Sequence, residues 1–287
     1  MDSVGRGSME KQKRVALIND VTGFGRCSTV VQLPIISAMG VQCCIFPTAI
    51  LSAHTAYPSY YFDDYTRHMQ SYMDNWKALG VTFDGISTGF LGSKEQIELV
   101  ITFLKTFQKE GTKVVVDPVM GDDGILYETY TEEMCQEMKR LIQYADVITP
   151  NLTEAYRLLQ LGYKEGTLTE EDLAKQLSLL GPKKVVITGI DQGDNVGNYF
   201  YERSGKKGWI WRKKVAESRP GTGDVFSAII TAGEMLHLPF EVSIQLAADF
   251  ITKGLEKTIE QDVPHNDGIC FELVLGQLIQ FIQEKRK

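Results

Sequence analysis

The chain predicts a three-layer α/β/α fold, with a central, mostly parallel sheet and a small hairpin at one edge. Two patterns carry that expectation. Short Val- and Ile-rich runs of strand length are nearly continuous rather than alternating. Strands buried on both faces of a parallel sheet have this appearance. Between them lie longer segments with apolar residues at helical spacing, four of which end in a glycine just ahead of the next run, at Gly40, Gly80, Gly111 and Gly181. Glycine takes the left-handed conformation past a helix end without a Cβ clash. A repeated order of helix, glycine and strand is that of stacked βα units.

In chain order, strands are expected at 15–18, 41–46, 85–88, 113–117, 146–149 and 183–188. The segment 93–110 is read as a helix because Ile97, Val100, Ile101, Leu104 and Phe107 fall on one face. The runs 198–201 and 209–212, flanking 204–208, read as a hairpin at a sheet edge. Trp209 and Trp211 are more simply explained by cross-strand packing than as an aromatic shelf for a ligand. Helices are expected at about 222–237, 240–260 and 271–284. With no internal repeat, low-complexity tract or Pro/Ser-rich linker, 14–287 is read as one domain, preceded by a flexible segment 1–13.

The 287 residues include 37 acidic and 30 basic side chains, a formal charge of −7. Nucleic-acid-binding domains are basic, so no nucleic-acid partner is expected. No run reaches the roughly 18 apolar residues of a membrane span, so no membrane partner is expected either. Five cysteines, with no CxxC and no Cys/His grouping at zinc spacing, read as buried reduced thiols. The first thirteen residues are polar and lack the apolar stretch of a secretion signal. A cytoplasmic location is expected.

Chemistry concentrates in three turns. The strongest is Arg219-Pro-Gly-Thr-Gly-Asp224 ahead of an apolar helix. Two glycines around a threonine let backbone N–H groups converge where the helix dipole is positive, which suits an anion. Asp224 in the first helical turn is either a capping acid or a base beside an anion hole, as phosphoryl transfer to an alcohol requires. The second turn, Asp117-Pro-Val-Met-Gly-Asp122, sets an acid at the end of a strand, on the side where open α/β sheets bind ligands. The third, Asn151-Leu-Thr-Glu154, opens a helix with either a plain cap or a ligand set. Asp117, Asn151 and Glu154 all offer oxygen, which magnesium takes directly or through water. Gly23-Phe-Gly25 hints at a dinucleotide fingerprint, but Ser28 holds the third glycine position and the second strand ends in Phe46-Pro47 with no ribose-binding acid. No Walker A motif is present.

Together these turns resemble the motifs of the ribokinase-like superfamily. Within it the chain is similar to the vitamin B6 branch, the pyridoxal/pyridoxine/pyridoxamine kinases, over about 14–280. Gly89-Phe-Leu-Gly-Ser93 and the stretch from Pro47-Thr48 to His54-Thr55 also match. The N-terminal glycine pair and β-lid of the sugar-kinase branch are not found, which moves the implied substrate from sugars to hydroxymethyl heteroaromatics.

The resemblance implies ATP-dependent phosphorylation of the 5′-hydroxymethyl group of a B6 vitamer by a homodimer. It implies Mg2+ as cofactor and admits a monovalent cation such as K+. Asp224 would be the base, and the N–H groups of Gly221, Thr222 and Gly223 the anion hole. Asp117, Asn151 and Glu154 would surround the metal and the ATP phosphates, with Asp117 and Glu154 as metal ligands and Thr188 nearby. Asp20 stands where many members have a serine against the pyridine ring, and Phe90 where others carry tyrosine. Thr48 matches a threonine near the ring substituents, and His54 lies in a segment that folds near the substrate in the family. An acid at position 20 suits a protonated ring nitrogen, a phenol or an amine. The stretch 56–61 is a lid or an aromatic cluster. The nearest alternative is a hydroxymethylpyrimidine kinase of the same superfamily, which has a similar Asp-Pro-Val-Met motif. A silent B6-binding module would have no need of Asp224, and a nicotinamide-dependent oxidoreductase is disfavoured by the failed fingerprint.

Overall fold

Strands buried on both faces must send every side chain into a core, and alternation divides them between two. The computed structural model describes residues 11–164 and 167–285. Residues 1–10 of the expected flexible segment 1–13 lie outside the described residues. The first units are strand β1 (Arg14–Thr22), helix α1 (Thr29–Ala38), β2 (Gln42–Leu51), β3 (Phe62–Asp64) and α2 (Thr66–Ala78). Next come β4 (Gly85–Thr88), α3 (Lys94–Phe107), β5 (Lys113–Val116) and the tiny hairpin β6 (Gly121–Asp122) and β7 (Ile125–Leu126). They are followed by α4 (Glu132–Leu141), β8 (Val147–Ile148), α5 (Leu152–Leu158), α6 (Glu170–Leu179) and β9 (Lys184–Gln192). The last third holds β10 (Asn195–Glu202), β11 (Lys207–Lys213), α7 (Thr222–Met235), α8 (Phe240–Glu260) and α9 (Leu275–Lys285).

Among the described residues a nine-stranded sheet runs β11-β10-β9-β8-β5-β4-β1-β2-β3. The six strands from β2 to β9 pair in parallel, and antiparallel strands close both edges. Val15, Val115, Val147 and Val186 face a core with α1, α7, α8 and α9. Their neighbours Ala16, Val116, Ile148 and Ile187 face a second core with α2 to α6. Each fully buried Val, Ile or Phe contributes roughly 1.5–3 kcal/mol of hydrophobic stabilisation. The three-layer expectation therefore holds, including the edge hairpin. Trp209 meets Tyr199 of β10 edge-on at 5.1 Å, which is cross-strand packing, and stacks on Trp211 of its own strand at 4.5 Å. No helix among the described residues is long and apolar enough to cross a membrane.

Several expectations need correction. β1 and β2 run on to Thr22 and Leu51, because pairing resumes beyond the polar residues that interrupt the apolar runs: Val21 lies opposite Ile50 and Thr22 opposite Leu51. Between Asn19 and Val21 the register slips, one residue of β1 facing two of β2. Pro47, opposite Asn19, has no N–H to keep the ladder regular, and such bulges re-aim side chains beside active sites. β3 was not expected, since 62–64 is too short to show a pattern. The helix expected at 271–284 begins as a 3-10 turn, Glu272–Val274, before α9. All five cysteines are free thiols, but only Cys135 and Cys270 are buried. Cys27, Cys43 and Cys44 are partly exposed.

Candidate active site

The chain leaves β1 for β2 on one side of the sheet and later reaches β4 on the other. The carboxyl ends of β1 and β4 thus flank the point where open α/β sheets form a ligand crevice. Asp20 lies at the β1 bulge, 4 % exposed, and accepts a hydrogen bond from the Thr22 hydroxyl at 2.8 Å. Burial pushes its pKa up, against hydrogen bonds from Ser28 and Thr22. Thr48, fully buried, donates to the Phe90 carbonyl at 3.0 Å, which ties β2 to the turn after β4.

Further along the edge, Asp117 follows β5 and accepts from the Thr149 hydroxyl at 3.1 Å. Burial raises its pKa, and the nearby Asp224 raises it further. Asn151 and Glu154 form a capping box at α5: Asn151 Oδ1 accepts from Glu154 N–H at 2.9 Å, and Glu154 Oε2 accepts from Asn151 N–H at 2.8 Å. Glu154 Oε1 accepts from Met120 N–H at 3.1 Å. Its pKa is nevertheless driven well up, by burial first and by Asp117 second. Thr188 N–H donates to the Pro150 carbonyl at 2.9 Å, and Thr188 pairs across to Asn151, which puts it beside the start of α5. Among the described residues, no three His, Cys, Asp or Glu side chains gather into a metal cage.

α7 begins at Gly221, whose φ of 87° lies in the left-handed region. A Cβ there would stand 2.3 Å from the Arg26 carbonyl oxygen, so only glycine lets the two loops meet. With glycine as N-cap, no side chain covers the first-turn N–H groups. Thr222 is an exception to the expected anion hole: its N–H points to the Arg219 carbonyl at 3.3 Å and its hydroxyl donates there at 3.0 Å. Asp224, one turn in, accepts from the Ser28 N–H at 2.7 Å. Ser28 holds a left-handed φ of 56°, a strained conformation of the kind found at functional sites. Burial brings Asp224 up to about 7, and the charge of Asp20 adds to the rise.

Asp20, Asp224, Asp117 and Glu154 therefore form a continuous line of acids, each felt by the next. His54 joins this group through Asp20, but its ring also serves as a clasp. His54 Nε2 lies 2.5 Å from the Asn266 carbonyl, Asn266 Nδ2 donates to the Ala56 carbonyl at 3.0 Å, and Tyr57 donates to Asp267 at 2.6 Å. Gly25 adopts a φ of 86° directly against the His54 ring, which gives the second glycine of Gly23-Phe-Gly25 a local packing role. Sequence reasoning missed Asn19, Ser28, Arg26 and the 265–267 turn. The pair Asn19-Asp20, interrupting an apolar strand, was a usable signal for Asn19. Nothing local marked the others.

Carboxyls raised by burial hold protons longer in the folded chain than in the unfolded one. Stability therefore falls as pH rises from the ordinary carboxylate range, about 4, toward the raised values. The melting temperature of the ligand-free protein is expected to drop from about pH 5 to about pH 8. The drop should be smaller in Asp224→Asn, and MgCl2 should recover part of it at the upper end. An equal drop in variant and wild type would remove Asp224 from that account.

An open, mostly parallel α/β sheet with an uncapped glycine turn and a line of buried acids at its carboxyl edge is the architecture of the ribokinase-like superfamily. A family model described as phosphomethylpyrimidine kinase matches residues 33–268. The chain belongs to that family. It is 39 % identical to a protein of Bacteroides thetaiotaomicron assigned as a phosphomethylpyrimidine kinase, with 96 % of each chain covered and a TM-score of 0.91. An orthorhombic crystal form of that protein contains pyridoxal. Among curated relatives, it is 28 % identical to the pyridoxine kinase of Bacillus subtilis, over 62 % of this chain and 66 % of that protein. It is 29 % identical to a hydroxymethylpyrimidine/phosphomethylpyrimidine kinase of Staphylococcus aureus, over 61 % of this chain and 63 % of that protein. The matches thus span just under two thirds of these two relatives' lengths.

Proposed function

We propose that the protein transfers the γ-phosphoryl group of ATP to the 5′-hydroxymethyl group of a vitamin B6 vitamer. The observation that carries this reading is Asp224, a carboxylate brought to about 7 at the mouth of an uncapped helix. A general base works best with a pKa near the operating pH. Asp224 takes the hydroxyl proton as the alcohol oxygen bonds to the γ-phosphorus and the bond to the β-phosphate oxygen breaks, releasing ADP. The free N–H groups at Gly221 and Gly223 stabilise charge on the transferred group. Positioning and electrostatics carry the reaction without a covalent intermediate.

Asp117 and Glu154 fit a divalent cation: two buried oxygen donors, the charge of the first felt by the second. Their hydrogen bonds among the described residues come from a hydroxyl and backbone N–H groups rather than from a basic side chain. Glu154, with both oxygens already accepting backbone N–H groups, suits contact through water. Magnesium bound there would neutralise phosphate charge as ADP leaves. Asp20, beside the substrate crevice, selects a ring or substituent able to give it a hydrogen bond. The pyridoxal in a crystal form of the 39–40 % identical relative supports the B6 reading. The matched family description and the Staphylococcus aureus relative support a second reading, hydroxymethylpyrimidine as acceptor.

ADP release with MgATP and pyridoxal, pyridoxine, pyridoxamine or hydroxymethylpyrimidine separates these readings. The highest kcat/KM is expected with a B6 vitamer. A highest value with hydroxymethylpyrimidine selects the second reading, and no turnover with any of the four overturns the kinase assignment.

A further inference from the structure

We infer that Arg219 is a positioning residue, whose guanidinium holds the 219–223 turn where its free N–H groups meet the transferred phosphoryl group. This rests on the kinase reading and on that turn being the anion hole. The turn begins α7 with Gly221, at a left-handed φ of 87° and with no side chain to bond the first helical N–H groups. Its exact place therefore depends on contacts with other segments.

Arg219 provides such contacts at both ends of the residue. Its carbonyl accepts the Thr222 N–H at 3.3 Å and the Thr222 hydroxyl at 3.0 Å, which closes the turn. Its side chain crosses to the segment just past α8. There a single nitrogen, Nη1, donates to the Val263 carbonyl at 2.7 Å and to the Pro264 carbonyl at 3.0 Å. A terminal guanidinium nitrogen has two hydrogens in one plane, one for each of two successive carbonyls. The far anchor is itself held, since the Asp267 N–H donates to the same Pro264 carbonyl at 3.0 Å. Pro220 adds a backbone tie, its carbonyl accepting the Ile269 N–H at 3.2 Å. Space between these segments is closed: a Cβ at Gly268 would stand 2.9 Å from the carbonyl oxygens of both Pro220 and Arg26. The turn is thus seated between the 23–28 loop and the 263–269 segment, and the Arg219 side chain spans it to the second.

Arg219→Ala tests the assignment, in purified full-length protein with MgATP and the best acceptor. Without the link the turn can shift, although the contacts of Pro220 and Gly221 still restrain it. kcat is therefore expected to fall about 10-fold, short of the loss on the order of 10²-fold from a full 1 Å misplacement. The KM for MgATP should stay within about 2-fold of wild type, because the N–H groups at stake act on charge that develops during transfer. MgADP with aluminium fluoride mimics the phosphoryl group in transit. Its affinity in the presence of acceptor should drop by about the same factor as kcat, which a loss of folded protein alone would not produce. An unchanged kcat, or a fall in kcat with unchanged aluminium fluoride affinity, overturns the inference. If Arg219→Ala does not fold, Arg219→Gln, too short to span to both carbonyls, is judged by the same two readouts. No turnover by the wild type with any acceptor would instead overturn the kinase reading, so the two failures are distinguishable.

Discussion

Replacing Asp224 by asparagine is expected to lower kcat by about 10²-fold or more while leaving the KM for MgATP close to wild type. The substitution is nearly isosteric, and an asparagine Oδ1 can still accept the Ser28 N–H that now lies 2.7 Å from Asp224. What disappears is the ability to take a proton. The pH profile carries a second signature. The wild-type carboxyl titrates at about 7, and only its ionised form can act as the base. kcat/KM should therefore fall as pH drops through about 7, reporting the free enzyme, and that acidic limb should be absent from the residual activity of Asp224→Asn. Turnover near wild type, or an unchanged acidic limb, would remove Asp224 from the reaction.

Gly221→Ala is the substitution expected to combine the largest loss of activity with a loss of stability. A non-glycine residue held at the left-handed φ of 87° carries a conformational cost of roughly 1–2 kcal/mol. The new Cβ would also meet the Arg26 carbonyl oxygen at 2.3 Å, a backbone atom that cannot swing aside. Either the 219–223 turn or the 23–28 loop must move, and a misplacement of about 1 Å at such a turn costs on the order of 10²-fold in rate. Gly223→Ala is the matched control for stability, since its Cβ would meet nothing within 4 Å. Thermal melts are expected to place Gly221→Ala below wild type and Gly223→Ala at or above it. Equal melting temperatures for the two variants would mean that the close approach at Gly221 is not a constraint.

The fold was legible because buried parallel strands leave continuous apolar runs and helix ends leave glycines. Gly40, Gly80, Gly111 and Gly181 all adopt positive φ. The strand ends were less legible, because Asp20 and Thr48 sit in the bulge itself, outside the regular pairing, and a slip of register leaves no mark on residue type. Asp224, Asp117, Asn151 and Glu154 announced themselves through turns of special composition. Ser28 did not, because its contribution is a backbone N–H, which every residue but proline carries. His54 was noticed for its place in the chain, yet its clasp on Asn266 depends on two segments more than 200 residues apart. Long-range contacts of that kind are set by the whole sheet and have no local pattern.

The loop after β1 is fastened to the far end of the chain. Arg26 bonds the Asp267 carbonyl at 3.1 Å and Glu272 at 2.8 Å, across 241 and 246 residues of sequence. The same loop carries Ser28, which holds Asp224. During synthesis, the wall of the crevice made by residues 23–28 has no clasp until residues 265–272 have left the ribosome. An incomplete chain thus presents its carboxyl ends and glycine turn without the groups that bring them to working distance. The site is whole only once the 265–272 segment has been made and folded back.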